Sequence, residues 1–303
     1  MKTDFCFKGM MVPVFTPFMD DKTRSINMNM VDKYCQYMKS MGMQGVAINT
    51  ITGEGMCMTM QERMQMTEKW HEATRKHGMT MMVNIGGTDL PSVYMMAEHC
   101  EKMQVDCVMI MPDMCYKPMT EEDLMMYMKD VMKHCPTRPM MYYHMPMMTG
   151  VHMDMMRMMK MMERECPMFA GVYYCHDNMD MMMMCKQMMP HMNMICGTMS
   201  SMMACMSQGM EAMSMAAMNV CPEMIKQMYD HMMNHKMNEA KMIHEKMMKY
   251  IYDMFHMDAD THMNMDYMMM MRMQMDKMQP MGIKMGPMRR PHMTMDRMFR
   301  MNM

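Results

Sequence analysis

Residues 168–197 read MFAGVYYCHDNMDMMMMCKQMMPHMNMICG. Met168–Tyr173 is a small, apolar run that reads as a buried strand reaching the open end of a sheet. Asn178–Met189 follows with the length and polar punctuation of a helix, and Asn193–Gly197 is a second short apolar run. A strand, a helix and a strand in succession are the unit from which parallel sheets are built.

The same alternation extends in both directions. Strand-like segments are expected at Gly9–Phe15, Gly45–Asn49, Thr80–Ile85, Asp106–Met111, Pro139–His144 and Ala212–Ala217. Helical segments are expected at Asn27–Met41, Gln61–Lys76, Pro91–Met103, Glu121–Cys135, Met153–Glu165 and Ser200–Gln208. Eight strand–helix units over roughly 210 residues approach the ~250 typical of a (β/α)8 barrel. The expected class is therefore α/β, a (β/α)8 TIM barrel over residues 1–220. From Pro222 the chain turns polar and rich in His and Lys, so residues 221–303 are expected to add C-terminal helices packed on the barrel, with Met278–Pro291 a Pro/Gly loop.

Composition narrows the function classes. The chain has 303 residues, half of them hydrophobic, with a net charge of −2. No basic excess draws in nucleic acid or an anionic membrane. The N-terminal MKTDFCFKG lacks the apolar core of a secretory leader, and no apolar run nears the ~18 residues of a membrane span. Thirteen scattered cysteines without a CxxC pair argue for reduced thiols in a cytoplasmic protein and against a structural zinc site. Methionine occurs 85 times, whereas leucine is confined to Leu90 and Leu124. Methionine stands where Leu and Ile ordinarily would, the mark of an existing fold written in a biased or redesigned alphabet.

Barrel chemistry sits at the C-terminal strand ends. After the second strand, ITGEG (Ile51–Gly55) is a Gly-flanked turn whose N–H groups, with the Thr52 hydroxyl, suit an anion; the same residues also suit an ordinary helix start capped by Thr52. At the fifth strand end, YYHMP (Tyr142–Pro146) offers two phenols. Alternation allows only one of Tyr142 and Tyr143 to face inward, where it could move a proton or simply fill core. Lys117, in YKP after the fourth strand, is an amine near the same end. His231, His235 and Glu239 recur at helical spacing, which suits a metal or, equally, a solvated helix face.

Five segments together carry a family resemblance: GMMVPVFTPF (Gly9–Phe18), NTITGEG (Asn49–Gly55), YYHMPMMTGV (Tyr142–Val151), FAGVYY (Phe169–Tyr174) and GIKMGPMRRP (Gly282–Pro291). In order and spacing the chain resembles the N-acetylneuraminate lyases, within the dihydrodipicolinate-synthase-like class I aldolases. The resemblance implies a homotetrameric barrel. It implies reversible cleavage of N-acetylneuraminate, a sialic acid, to pyruvate and N-acetylmannosamine through a lysine Schiff base, with no metal or organic cofactor. By this resemblance Tyr143 relays the proton and Thr52 grips the pyruvoyl carboxylate. Tyr173 occupies the Schiff-base lysine position. Ile51 replaces a hydroxyl residue, Met199 and Ser200 replace an acidic pair, and Ala216 replaces a serine. Gly197 is kept, and Cys175 falls among the pocket positions. A phenol cannot condense with a ketone as a primary amine does. The expectation is an inactive or impaired lyase, a barrel that holds a small keto acid without cleaving its parent, or a sequence that keeps only the fold.

Overall fold

A computed structural model describes residues 3–256 and 267–290. Eight parallel strands close into a barrel in sequence order. They are β1 (Gly9–Pro13), β2 (Gly45–Ile48), β3 (Thr80–Asn84), β4 (Cys107–Ile110), β5 (Met140–His144), β6 (Phe169–Tyr174), β7 (Asn193–Cys196) and β8 (Ala212–Met213). Around them run α1 (Val31–Ser40), α2 (Met60–His77), α3 (Leu90–Met103), α4 (Glu121–Met132), the single turn α5 (Pro146–Thr149), α6 (Met155–Glu165), α7 (Met179–Met188) and α8 (Met202–Ser207). Three further helices follow, α9 (Pro222–Met233), α10 (Met237–His256) and α11 (Tyr267–Met278). No described helix is long and apolar enough to cross a membrane.

Local chemistry explains where the helices begin. Thr59 and Glu62 form a reciprocal capping box before α2, and Thr120 and Asp123 form another before α4. Asp89, Asp154 and Asn178 cap α3, α6 and α7 through their side chains. Each cap satisfies backbone N–H groups that the helix itself leaves unpaired.

The core has two layers. Met11, Ala47, Met82, Cys107, Met109, Met141, Tyr143, Ala170, Tyr173 and Ile195 fill the barrel interior. A larger layer lies between strands and helices, and it contains Tyr142, Val172 and Tyr174. Along β6 this alternation breaks once. Ala170 faces inward and Val172 outward, as does Phe169, yet Tyr173 again faces inward. The register explains it: Met140 pairs with Phe169 but Met141 with Gly171, so Ala170 is an extra residue in β6. A one-residue bulge flips every side chain beyond it. Gly171 makes the bulge possible. Its φ is +136°, and a Cβ there would lie 2.0 Å from the Asn193 carbonyl oxygen.

Three expectations need correction. The eighth strand keeps only two residues, and Ala216–Asn219 is a 3-10 turn. Alanine and methionine offer no β-branched preference for extension, and Asn219 holds the turn through Pro13 and Ala216 carbonyls. The first helix is shorter than expected, preceded by a 3-10 turn at Met28–Met30. His231, His235 and Glu239 do not share a helical face. The chain breaks between α9 and α10, with His235 at φ +58°, and the described residues contain no cluster of three or more His, Cys, Asp or Glu arranged for a metal.

Candidate active site

Tyr143 and Tyr173 lie side by side near the C-terminal ends of β5 and β6. They are register partners, and their rings meet edge-to-face with centroids 4.9 Å apart. Both are nearly inaccessible, at 4% and 2% exposure. The Tyr173 hydroxyl hydrogen-bonds the Ser214 hydroxyl, just beyond β8. The Tyr143 hydroxyl meets the Cys175 thiol. Burial pushes both phenols well above the ordinary tyrosine range, with the Cys175 thiol adding to it. Each therefore stays a neutral phenol at physiological pH.

The loop after β2 is held from several sides. Gly53 N–H donates to the Thr50 hydroxyl, Gly55 N–H to the Thr50 carbonyl, and the Thr16 hydroxyl to the Gly53 carbonyl at 2.5 Å. A Cβ on Gly55 would fall 2.1 Å from the Asn49 carbonyl oxygen, so close backbone approach requires both glycines. Glu54 is buried in a left-handed conformation. Its carboxylate accepts the Arg289 and Arg290 N–H groups at 2.9 Å, and the buried Arg272 guanidinium stands 3.5 Å away. The C-terminal segment thus fixes the loop that carries Ile51 and Thr52. Thr52 is buried, while Ile51, Met56, Met114 and Met145 lie over the interior cluster at its mouth. These apolar side chains cover the interior cluster beside the Thr52 hydroxyl.

The other expected positions divide. Gly197 abuts Cys175, whose sulfur would stand 2.1 Å from a Cβ there, so a side chain at 197 would have to displace Cys175. Ala216 is buried in its 3-10 turn. Met199 packs with the outer layer, its sulfur 3.8 Å from the Tyr267 hydroxyl, and Ser200 is exposed. Neither joins the two tyrosines. Lys117 is exposed, and its amine lies near Gly150, the C-cap of α5. Ser214 escaped the sequence reading. The signal was a lone hydroxyl in AMSMAA (Ala212–Ala217), which strand alternation alone could not aim at Tyr173.

The model of the dihydrodipicolinate synthetase family matches residues 6–300. The N-acetylneuraminate lyase of Danio rerio is 28% identical over 167 residues, 55% of this chain and 54% of that protein. N-acetylneuraminate lyase B of Xenopus laevis is 27% identical over 173 residues, 57% of this chain and 64% of that one. The chain thus spans a little over half the length of the curated relatives it matches. Among solved structures, Proteus mirabilis N-acetylneuraminate lyase superposes with a TM-score of 0.84 at 18% identity, covering 97% of this chain and 96% of that one. A Ruminococcus gnavus sialic acid aldolase carrying a catalytic lysine mutation superposes at 0.83 with 20% identity, over 94% and 89%. At such identities the likeness is one of fold.

Proposed function

The chain belongs to the dihydrodipicolinate synthetase family, and on that footing we propose that it is a barrel of the N-acetylneuraminate lyase kind whose imine-forming position is held by Tyr173. The observation that carries the proposal is the inward Tyr173, set against Tyr143 and bonded to Ser214. Cleaving N-acetylneuraminate to pyruvate and N-acetylmannosamine leaves a carbanion on the pyruvate half. A protonated imine absorbs that charge, and only a primary amine can form one. Tyr143 keeps the position of a proton relay, but proton transfer alone typically contributes a factor of ~10²–10⁴.

The remaining positions fit the same reading. Thr52 and Ile51 stand where the pyruvoyl carboxylate would be gripped, with one hydroxyl of the pair missing. Gly197 is kept, and it lies against Cys175, which the family resemblance counts among the pocket positions. Met199, Ser200 and Ala216 offer the sugar hydroxyls no carboxylate. The protein would be a homotetramer in the cytoplasm, holding a small keto acid or its sialic acid parent without metal or organic cofactor.

The test is cleavage of N-acetylneuraminate, followed as pyruvate released. The parent chain is expected to release none above background, and Tyr173→Lys to recover slow release. Rapid turnover by the parent would refute the proposal.

A further inference from the structure

We propose that Asn193 is a positioning residue for position 173. Its side-chain amide clasps the β6 bulge to the N-terminal arm, and the clasp keeps residue 173 turned into the barrel. That position 173 is the reacting one rests on the reading above; the contacts that aim it do not. Asn193 opens β7 and is 7% exposed. An asparagine side chain has two N–H donors and one carbonyl acceptor, and here each has a partner. Nδ2 donates to the Ala170 carbonyl at 2.8 Å and to the Phe5 carbonyl at 2.7 Å, and Oδ1 accepts the Phe7 N–H at 2.8 Å. Ala170 is the extra residue of the bulge, and Gly171 beside it is the register partner of Asn193. One side chain thus bonds the bulge and both flanks of Cys6 in the arm.

The bulge competes with a regular ladder. With Ala170 paired to Met141, every later side chain of β6 would change sides, and residue 173 would point at the helices. Apolar burial arbitrates weakly between the two, because both faces of β6 are buried. Val172 and Tyr174 pack outside, Ala170 and Tyr173 inside. A hydrogen bond is directional, and the one from Asn193 is made to the bulged backbone.

The arm enters the clasp from the floor of the barrel. Phe7 is buried in the interior cluster, Phe5 packs against it, and the Thr3 N–H donates to the Pro167 carbonyl at 2.9 Å, just before β6. Packing there is not continuous. A cavity of about 190 Å³ borders Phe7, Lys8 and Asn193, and one of about 60 Å³ borders Thr3, Phe5, Phe169 and Ala170. Gaps on this scale leave part of the arm and the bulge without close-packed neighbours, so the three bonds of Asn193 carry the register. The influence on residue 173 runs through the backbone of β6, from Ala170 through Gly171 and Val172.

The test has two readouts on the full chain. The first is the nuclear Overhauser effect between the Tyr143 and Tyr173 rings, in deuterated protein carrying protonated tyrosine. The second is the borohydride-trapped pyruvate adduct at residue 173 in the Tyr173→Lys chain. Asn193→Leu keeps the branched shape and removes all three bonds. It should abolish the ring contact in the parent and cut the adduct at least tenfold in Tyr173→Lys. Thr120→Ala, which removes the side-chain cap of α4, is the control for lost stability and should leave both readouts unchanged. A ring contact that survives Asn193→Leu would overturn the proposal, as would an undiminished adduct, or an equal loss of either signal in Thr120→Ala. If Tyr173→Lys forms no adduct at all, the reading of position 173 as the reacting one fails, and the ring contact still decides the role of Asn193. If Asn193→Leu does not fold, hydrogen exchange in the parent decides. The Asn193 side-chain amide should be protected there, and exchange at the rate of a free amide would overturn the proposal.

Discussion

At the scale of single residues, the tyrosine pair is held by burial and a few polar contacts. Ser214→Ala leaves the Tyr173 hydroxyl buried without a partner, which should cost about 1–3 kcal/mol of stability. Tyr173→Phe should cost a similar amount from the other side. The double variant should be more stable than the sum of the singles implies, because no orphaned polar atom remains; urea denaturation of the four proteins measures this, and strict additivity would contradict the bond. His144 gives a second residue-scale prediction. It is 3% exposed, its Nδ1 bonds nothing, and burial, helped by His176 and His152, lowers its pKa to about 3. In the unfolded chain an imidazole titrates near ~6.5. Between these values the unfolded chain binds more protons, so stability should fall as pH drops from about 6.5 toward 3. The loss from this group at pH 5 should be about 2 kcal/mol. Urea midpoints measured for the parent and His144→Gln at pH 7 and pH 5 should differ in their pH slope, the variant's being shallower. Equal slopes would remove His144 from the account.

At the scale of elements, β6 decides the site. Were Ala170 paired regularly with Met141 instead of bulged, the alternation would send Val172 inward and Tyr173 toward the helices. Gly171→Ala should therefore be among the most damaging single changes. It forces a side chain onto a φ of +136° and a Cβ to 2.0 Å from a carbonyl oxygen, a cost on the order of 3 kcal/mol or more. A thermal melt within a few degrees of the parent would show that the bulge does not need glycine. The strand–helix alternation was legible because apolar runs and capping residues such as Thr59, Thr120 and Asn178 are local signals. Tyr143 and Tyr173 were legible as strand-end residues for the same reason. The bulge, the Ser214 partner, the outward turn of Met199 and the break at His235 were not. Each depends on register or packing between segments far apart in the chain, which local pattern does not encode.

At the scale of the whole molecule, a closed parallel barrel brings strand ends that are remote in sequence to one mouth, and the C-terminal segment secures that mouth through Arg272, Arg289 and Glu54. The scaffold thus has the closed barrel of its family, and the proposed function turns on Tyr173 standing at the imine-forming position. The most direct measurement is incubation with pyruvate and sodium borohydride followed by intact mass, on the parent and on Tyr173→Lys. The parent should show no reduced pyruvate adduct. The variant should gain a single adduct that maps to residue 173. An adduct on the unmodified chain, at Lys117 or any other lysine, would contradict the account, because the reactive amine would then lie elsewhere.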